Sequence, residues 1–314
     1  MPAPILIYAE EAHEIAARLT PRFSEERFLP ITAPDGLAAA LSENPEIAFT
    51  IKSETLAPPG HAEIAAHASL RWIQVGGSGY EHLGDWPRAR LSVTNCLGLL
   101  APFLAESCLG AMLALNHNLI RYRDQQRARH WQGHGFRPLA GQTLLIVGAG
   151  AIGGELARRA AALGMRVIAI RRSDTPVEGA AETLPPEALQ GALAEADIVS
   201  VHLRLTAETE GLFDAQMFAR MKSGALFLNT ARGGHVVEAD LAAALASGRL
   251  RGAYLDVFAR EPLPPDSPLW DEERLLISPH HSDAALDWVE RFTDFFADNL
   301  ARWRAGETLV NRAG

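Results

Sequence analysis

The stretch Thr143-Leu-Leu-Ile-Val147-Gly148-Ala-Gly150-Ala-Ile-Gly153 decides how this chain folds. Thr143 to Val147 is a short aliphatic run of the kind buried in a parallel sheet. The glycines that follow have GxGxxG spacing. A helix-length segment, Glu155 to Leu163, comes next, and after Gly164 a second short run, Arg166-Val-Ile-Ala-Ile170. The glycine pattern alone is weak evidence, and a glycine turn that merely packs a helix on a strand is its plain alternative. Framed by strand, helix and strand, it is what dinucleotide binding requires. Gly148 permits a tight turn, Gly150 lets the backbone approach a pyrophosphate, and Gly153 allows close helix packing. The anion would rest on the helix N-terminus at Ala151 and Ile152, where free N–H groups and the helix dipole favour negative charge.

Working outward, the same alternation runs almost from end to end. Ile5-Leu-Ile-Tyr8, Ile47-Ala-Phe-Thr50, Leu70 to Val75 and Leu91-Ser-Val-Thr94 read as strands, with helices such as Glu11 to Leu19 between them. A second series continues from Thr143 through Arg166–Ile170, Asp197–Val201, Ala225–Asn229, Gly252–Asp256 and Leu275–Ile277. Strand and helix in alternation imply parallel sheets. The expected fold is therefore α/β, with two doubly wound, Rossmann- or flavodoxin-like domains and a cleft between them. A long helix over about 102–129 would cross into the second domain. The last helix, about Asp287 to Trp303, sets Trp288, Phe292, Phe295, Phe296, Leu300 and Trp303 on one apolar stripe, which fits a return to the first domain. The expected division is 1–98 with 284–314 for the substrate domain and 99–283 for the dinucleotide domain.

Composition agrees with two packed domains. The chain has 314 residues, 48% hydrophobic and 21% charged, enough for about two domains at roughly 150 residues each. Its formal net charge is −9, with no basic block suited to nucleic acid. An acidic chain must bind any anionic ligand through a local cationic cluster or backbone N–H groups. Cys96 and Cys108 lack metal or disulfide spacing, and no metal site is expected. The segment Leu97 to Leu115 is long and apolar, with Glu106 its only charge, but Pro102, Ser107 and the polar Asn116-His-Asn118 favour a buried helix over a membrane span. Such a helix needs covering, so a homodimer through 102–129 is expected. Met1-Pro-Ala-Pro lacks a basic secretory leader, which leaves a cytoplasmic location as the expectation.

The cationic cluster stands where the second strand of the dinucleotide unit ends, at Arg171-Arg172-Ser173. An acidic residue there would repel a 2′-phosphate, whereas paired guanidiniums bind one through charge-assisted bonds. NADP(H) is therefore the expected preference, with NAD(H) possible; solvated surface arginines are the alternative. Downstream, Asn229-Thr230-Ala231-Arg232-Gly-Gly, Leu255-Asp256-Val-Phe-Ala-Arg-Glu261-Pro and Ile277-Ser-Pro-His280-His281-Ser282 each follow a strand. Loops at strand C-termini are where doubly wound sheets bind ligands, so an arginine, a carboxylate and a histidine are expected to converge.

With these three signatures in order, the sequence resembles the D-isomer-specific 2-hydroxyacid dehydrogenases, of the glyoxylate/hydroxypyruvate reductase type. Lys52-Ser-Glu-Thr55 is similar to the family's Arg-Ser-x-Thr loop and Gly76-Gly-Ser-Gly-Tyr-Glu-His82 to its glycine loop. The resemblance implies hydride transfer between a nicotinamide cofactor and C2 of a small 2-oxo acid. It makes His280 the general acid, oriented by Glu261, with Arg232 on the substrate carboxylate and keto oxygen. Ser78 and Gly79 would offer backbone N–H groups to the same carboxylate. Thr209, Thr230 and Ala231 would join the cofactor contacts, and Asp256 would lie near the nicotinamide amide or serve as a strand-end cap. His281 has no assigned role.

The sequence departs from the family pattern at Glu81, where aspartate is usual, at Lys52 for arginine, and at Arg204 for proline. Lys52 could face the substrate or solvent. Arg204, near the adenosine position, is expected to help screen the 2′-phosphate. A dehydrogenase for a larger 2-oxo acid and a cofactor-sensing, corepressor-like binding protein are the alternatives. A phosphoglycerate dehydrogenase is less expected, because the sequence ends at Gly314 without a regulatory extension.

Overall fold

The computed structural model describes residues 3–53 and 55–313. Two compact units divide the chain, Met1–Leu99 with Ala285–Gly314, and Leu100–Ala284. In the first unit the order is β1 (Ile5–Tyr8), α1 (Ala12–Leu19), β2 (Phe28–Ile31), α2 (Leu37–Ser42), β3 (Ile47–Ile51), α3 (Pro58–Ala66), β4 (Trp72–Gly76) and β5 (Ser92–Asn95). The second unit carries α4 (Ala101–Asn116), α5 (Leu119–Arg127), β6 (Thr143–Val147), α6 (Ala151–Ala162), β7 (Arg166–Ile170), β8 (Glu182–Leu184), α7 (Leu189–Leu193) and β9 (Ile198–Val201). It continues through α8 (Ala215–Arg220), β10 (Ala225–Asn229), α9 (Glu238–Ala246), β11 (Leu250–Leu255) and β12 (Leu275–Ile277). Helix α10 (Trp288–Arg304) belongs to the first unit.

The first sheet has the order β2-β1-β3-β4-β5 and the second β12-β11-β10-β9-β6-β7-β8, and every pairing between these strands is parallel. The first is the flavodoxin-like order. The second is the dinucleotide-binding order, with its switch point between β6 and β9. The α/β fold with two doubly wound sheets is thus present.

Central strands are buried along their whole length, as β1, β3, β6 and β10 show, because parallel sheets covered by helices on both faces leave no wet side. In the first unit the α10 stripe lies on the sheet. Phe296 stacks on Phe49 at 4.8 Å and on Trp72 at 5.3 Å, and Trp303 stacks on Trp72 at 5.6 Å. Burying Phe296 contributes about 1.5–3 kcal/mol. The structure differs from the sequence reading at the long helix. It breaks into α4 and α5 at Asn118, whose φ of +58° reverses the backbone for one residue. Asparagine tolerates that conformation better than most side chains. Among the described residues no helix is long and apolar enough to cross a membrane.

Candidate active site

The glycine turn after β6 is crowded beneath and open above. A Cβ on Gly148, which has φ +100°, would lie 2.7 Å from the His202 backbone, and one on Gly153 would lie 2.7 Å from Gly148 O. A Cβ on Gly150 would meet nothing within 4 Å. Glycine is thus needed at Gly148 and Gly153 for packing, while the face at Gly150 is left clear. Above it lies a hollow of about 420 Å³ lined by residues that include Gly150, Ala151, Arg158, Arg171 and Glu178. The first N–H groups of α6, from Ala151 and Ile152, have no acceptor within the helix. A cradle of this shape, with backbone donors at its floor and a guanidinium at its wall, fits a dinucleotide. Glu155, which also lines it, is bound by Arg158 at 2.7 Å and Arg159 at 2.8 Å, and those bonds hold its carboxyl below the usual range.

Of the arginine cluster, Arg171 lines the hollow and its Nη1 approaches Thr175 O at 3.5 Å. Arg172, Ser173 and Arg204 are exposed and stand outside that lining. The Ser173 hydroxyl turns to Thr175 at 2.9 Å. Arg172 lies close enough to Glu208, in the loop after β9, to help the Thr206 hydroxyl hold that carboxyl low. Thr209 closes the same loop, donating to Arg204 O and accepting from Thr206 N, both at 2.9 Å.

At the carboxyl ends of β10, β11 and β12 the second unit assembles its titratable groups. Asn229 Nδ2 donates to Arg232 O at 2.9 Å and its Oδ1 accepts Ala231 N at 3.0 Å, which sets the turn that displays the exposed Arg232. Arg232 Nη1 bonds Ala231 O at 2.7 Å. Thr230 is buried beside Cys108, its hydroxyl 3.6 Å from the sulfur. Glu261 takes the Phe258 N–H on Oε1 at 2.9 Å and meets His280 Nδ1 with Oε2 at 2.8 Å. His280 itself holds φ +54°, a conformation that costs a non-glycine residue about 1 kcal/mol and needs outside support.

Support comes from Asp256. Its side chain is buried, accepting the N–H of His281 on Oδ1 at 2.9 Å and of Ser282 on Oδ2 at 3.2 Å, with the Ser278 hydroxyl also on Oδ1. Its carbonyl accepts His280 N–H at 2.7 Å. These are the contacts of a cap on the His280 loop. The exposed His281 contributes its backbone. Next to it, burial pushes the Asp283 carboxyl up.

In the first unit the glycine loop after β4 is tied down by its carbonyls. Cys96 N–H donates to Gly77 O and Asn95 Nδ2 to Ser78 O, both at 2.7 Å. The N–H groups of Ser78 and Gly79 have no acceptor among the described residues. Lys52 is exposed at the end of β3; of its loop, Glu54 lies outside the described residues. Behind it His61 and His82 meet edge to face at 4.7 Å, and burial drives both rings toward the neutral form, His82 down to about 4. Both thiols are likewise buried and protonated, Cys96 pushed up to about 12 and Cys108 to about 11. Among the described residues no group of three or more His, Cys, Asp or Glu is placed to hold a metal. Sequence reasoning missed Asn95, Tyr254, Ser278 and the His61–His82 pair. Asn95 and Ser278 at least stand at strand ends, where such roles fall.

A dinucleotide cradle at the switch point and a carboxylate-bound imidazole at the same sheet edge define a nucleotide-dependent oxidoreductase. The sequence model for the D-isomer specific 2-hydroxyacid dehydrogenase NAD binding domain matches residues 109–282. A glyoxylate reductase of Korarchaeum cryptofilum is 35% identical over 82% of this chain and 81% of its own. A Mycobacterium leprae D-3-phosphoglycerate dehydrogenase is 34% identical over 78% of this chain, which spans only 47% of that protein.

Among solved structures, a D-isomer specific 2-hydroxyacid dehydrogenase family protein of Aeromonas salmonicida superposes with TM-score 0.89 at 32% identity, covering 100% of this chain and 99% of that one. An NADPH-dependent glyoxylate/hydroxypyruvate reductase of Sinorhizobium meliloti, in complex with NADP and sulfate, superposes with TM-score 0.84 at 26% identity, covering 99% and 98%. The chain belongs to the D-isomer specific 2-hydroxyacid dehydrogenase family of NAD(P)-dependent oxidoreductases.

Proposed function

We propose that the protein reduces a small 2-oxo acid of the glyoxylate or hydroxypyruvate type to the D-2-hydroxy acid, with NADP(H) preferred. The observation that carries this reading is the 2.8 Å contact between Glu261 Oε2 and His280 Nδ1, which leaves His280 Nε2 without a partner among the described residues. A nicotinamide held in the Gly148–Gly153 cradle would supply hydride to C2 of the acid. His280 holds a proton at Nε2 and gives it to the oxygen as negative charge develops there. Glu261 accepts the Nδ1–H, which selects the ring orientation and steadies the protonated imidazole. Arg232 presents its remaining N–H groups to the substrate carboxylate and keto oxygen, a fork suited to both. The unpaired N–H groups of Ser78 and Gly79 take carboxylate oxygens, and Lys52 adds a positive charge that favours anionic or hydroxyl-bearing substrates.

Gly148, Gly150, Ala151, Ile152 and Gly153 form the pyrophosphate cradle. Arg171, Arg172 and Ser173 receive the 2′-phosphate, Arg204 screens it, and Thr209, Thr230 and Ala231 border the rest of the cofactor, while Asp256 serves as the strand-end cap of the His280 loop. The glyoxylate reductase and NADP-bound reductase relatives support this reading. We also assign a homodimer through 102–129, since Leu113 and Leu119 on these helices and the nearby Trp131 and Phe136 are exposed apolar side chains. Light scattering at micromolar concentration checks it, and a monomer rejects it.

The test is oxidation of NADPH and of NADH in parallel with glyoxylate, hydroxypyruvate, phosphohydroxypyruvate and phenylpyruvate. Fastest turnover of glyoxylate or hydroxypyruvate with NADPH is expected. Preference for phosphohydroxypyruvate would move the protein toward the phosphoglycerate dehydrogenases, and faster turnover with limiting NADH would overturn the cofactor assignment. His280→Ala should lower kcat by about 10²–10⁴-fold with NADPH affinity intact. Unchanged turnover would refute the proton-donor assignment.

A further inference from the structure

We infer that Tyr254 is a positioning residue for proton transfer, its hydroxyl bracing the backbone on both sides of His280 against the Asp256 carboxylate. The inference rests on His280 being the proton donor. Tyr254 lies on β11, two residues before Asp256, and its side chain is buried. Its hydroxyl oxygen is 2.8 Å from Ser278 Oγ and 2.8 Å from Ser282 Oγ. Those serines stand two residues before and two residues after His280. The single tyrosine therefore clamps the turn symmetrically, and the turn holds its histidine at φ +54°.

The direction of each bond follows from donor counting. The Ser278 hydroxyl donates to Asp256 Oδ1, a carboxylate oxygen that accepts. Ser278 Oγ has then spent its one proton and must accept from Tyr254. Tyr254 has in turn spent its own proton and must accept from Ser282. The chain Ser282 to Tyr254 to Ser278 to Asp256 thus runs one way and ends on a carboxylate oxygen, an arrangement in which each bond polarises the next. Burial, which raises the Tyr254 phenol above its ordinary value, keeps the donor in place. Ser107 completes the restraint by donating to Ser282 O at 2.7 Å.

A phenylalanine at this position fills the same space but leaves Ser278 without a donor and Ser282 without an acceptor. The backbone about His280 then relaxes from its left-handed conformation, and the imidazole drifts from its working position. A purely structural tyrosine would instead lower thermal stability and leave the kinetics of the folded enzyme alone.

The experiment measures kcat, both KM values and thermal stability of the full chain for Tyr254→Phe, His280→Ala and the double variant. Tyr254→Phe is expected to lower kcat about tenfold, an amount typical of a displaced proton donor, with the cofactor KM within about twofold of wild type. In the His280→Ala background the same change should alter the residual kcat by less than about twofold, since it acts through the missing ring. Wild-type kcat for Tyr254→Phe, or an equal loss in both backgrounds, overturns the inference while leaving His280 in its role. Full turnover by His280→Ala overturns the proton-donor assignment instead. If Tyr254→Phe does not fold, Ser282→Ala decides: it removes one end of the clamp and should lower kcat about threefold, whereas no change in kcat rejects the clamp.

Discussion

The two units end their parallel sheets in opposite ways. In the first, the loop after β4 is fastened through its carbonyls, with Gly77 O on Cys96 N–H and Ser78 O on the Asn95 amide. The N–H groups of Ser78 and Gly79 have no acceptor among the described residues. In the second, the loop after β12 is fastened through its N–H groups, those of His280, His281 and Ser282 all ending on Asp256. What is displayed there is the side chain of His280, whose Nδ1 meets Glu261 Oε2 at 2.8 Å. One architecture can thus display either backbone donors or a titratable ring, depending on which half of the peptide the neighbouring strand-end residue takes. Asparagine suits the first task, since its amide donates, and an aspartate carboxylate the second, since its oxygens accept.

Substitution of the glycines should break this comparison most violently on one side. A Cβ at Gly233 would lie 1.9 Å from the Phe258 carbonyl carbon and 2.4 Å from Ala259 N, so Gly233→Ala must push away the segment that carries Glu261. The expected cost exceeds about 3 kcal/mol, with loss of folded protein or of activity. In the first unit, Gly77 has φ +126° but open space around it. Gly77→Ala should cost about 1–3 kcal/mol of backbone strain and yield folded enzyme. Soluble yield and thermal melts of the two variants compare them directly, and equal behaviour would show that the crowding at Gly233 is unimportant.

Next in size is the cofactor loop. Replacing Arg171 and Arg172 together by serine should raise the NADPH KM about 10–100-fold, the weight of charge-assisted bonds to a phosphate, and leave the NADH KM nearly unchanged. Initial-rate kinetics with each cofactor check this. An equal rise for both would place the arginines away from the 2′-phosphate.

Much of this was legible in the sequence, for physical reasons that also explain the gaps. β1, β6, β7 and β10 have the bounds the aliphatic runs suggest, because a strand buried on both faces has little freedom in composition; the edge strand β12 also keeps its expected bounds, as the short run Leu275–Ile277. β2 is not legible from the sequence: it is a partly buried edge strand containing Pro30, which a central strand would exclude. β8, three residues on the opposite sheet, lies at an edge too and is too short to show a period. At the site, Glu261 and His280 were readable because each follows a strand and has few structural reasons to be there. Tyr254 was not, since a tyrosine in a strand reads as core, and its two serine partners come 24 and 28 residues later.

A smaller effect is expected at Asn95, the residue that fastens the carbonyl side. Asn95→Ala frees Ser78 O and loosens the unpaired amides of Ser78 and Gly79, so the substrate KM should rise about tenfold at most while cofactor KM holds. Steady-state kinetics with the preferred acid check this, and an unchanged KM would remove the loop from substrate binding.

The smallest effect is one of pH, and it too separates the units. Each holds desolvated histidine: buried His61 with half-buried His82 in the first, and half-buried His202 in the second, where Nδ1 has no partner among the described residues and desolvation pulls the ring from 6.5 to about 4. In the unfolded chain these rings take up protons as pH falls through 6.5; in the folded protein His82 and His202 resist until about 4. Between those values the unfolded state binds more protons, so stability is full above the window and declines as pH falls through it. The first unit should decline more, because protonating either ring of the His61–His82 pair sets it against its neighbour and against Lys52. The melting temperature should therefore drop by a few degrees, on the order of 5 °C, between pH 7 and pH 5. His82→Phe should shrink that drop, since a neutral ring of similar shape binds no proton in either state. Calorimetry at the two pH values decides the matter, and a drop of the same size in the variant would show that His82 is already free to protonate in the folded protein.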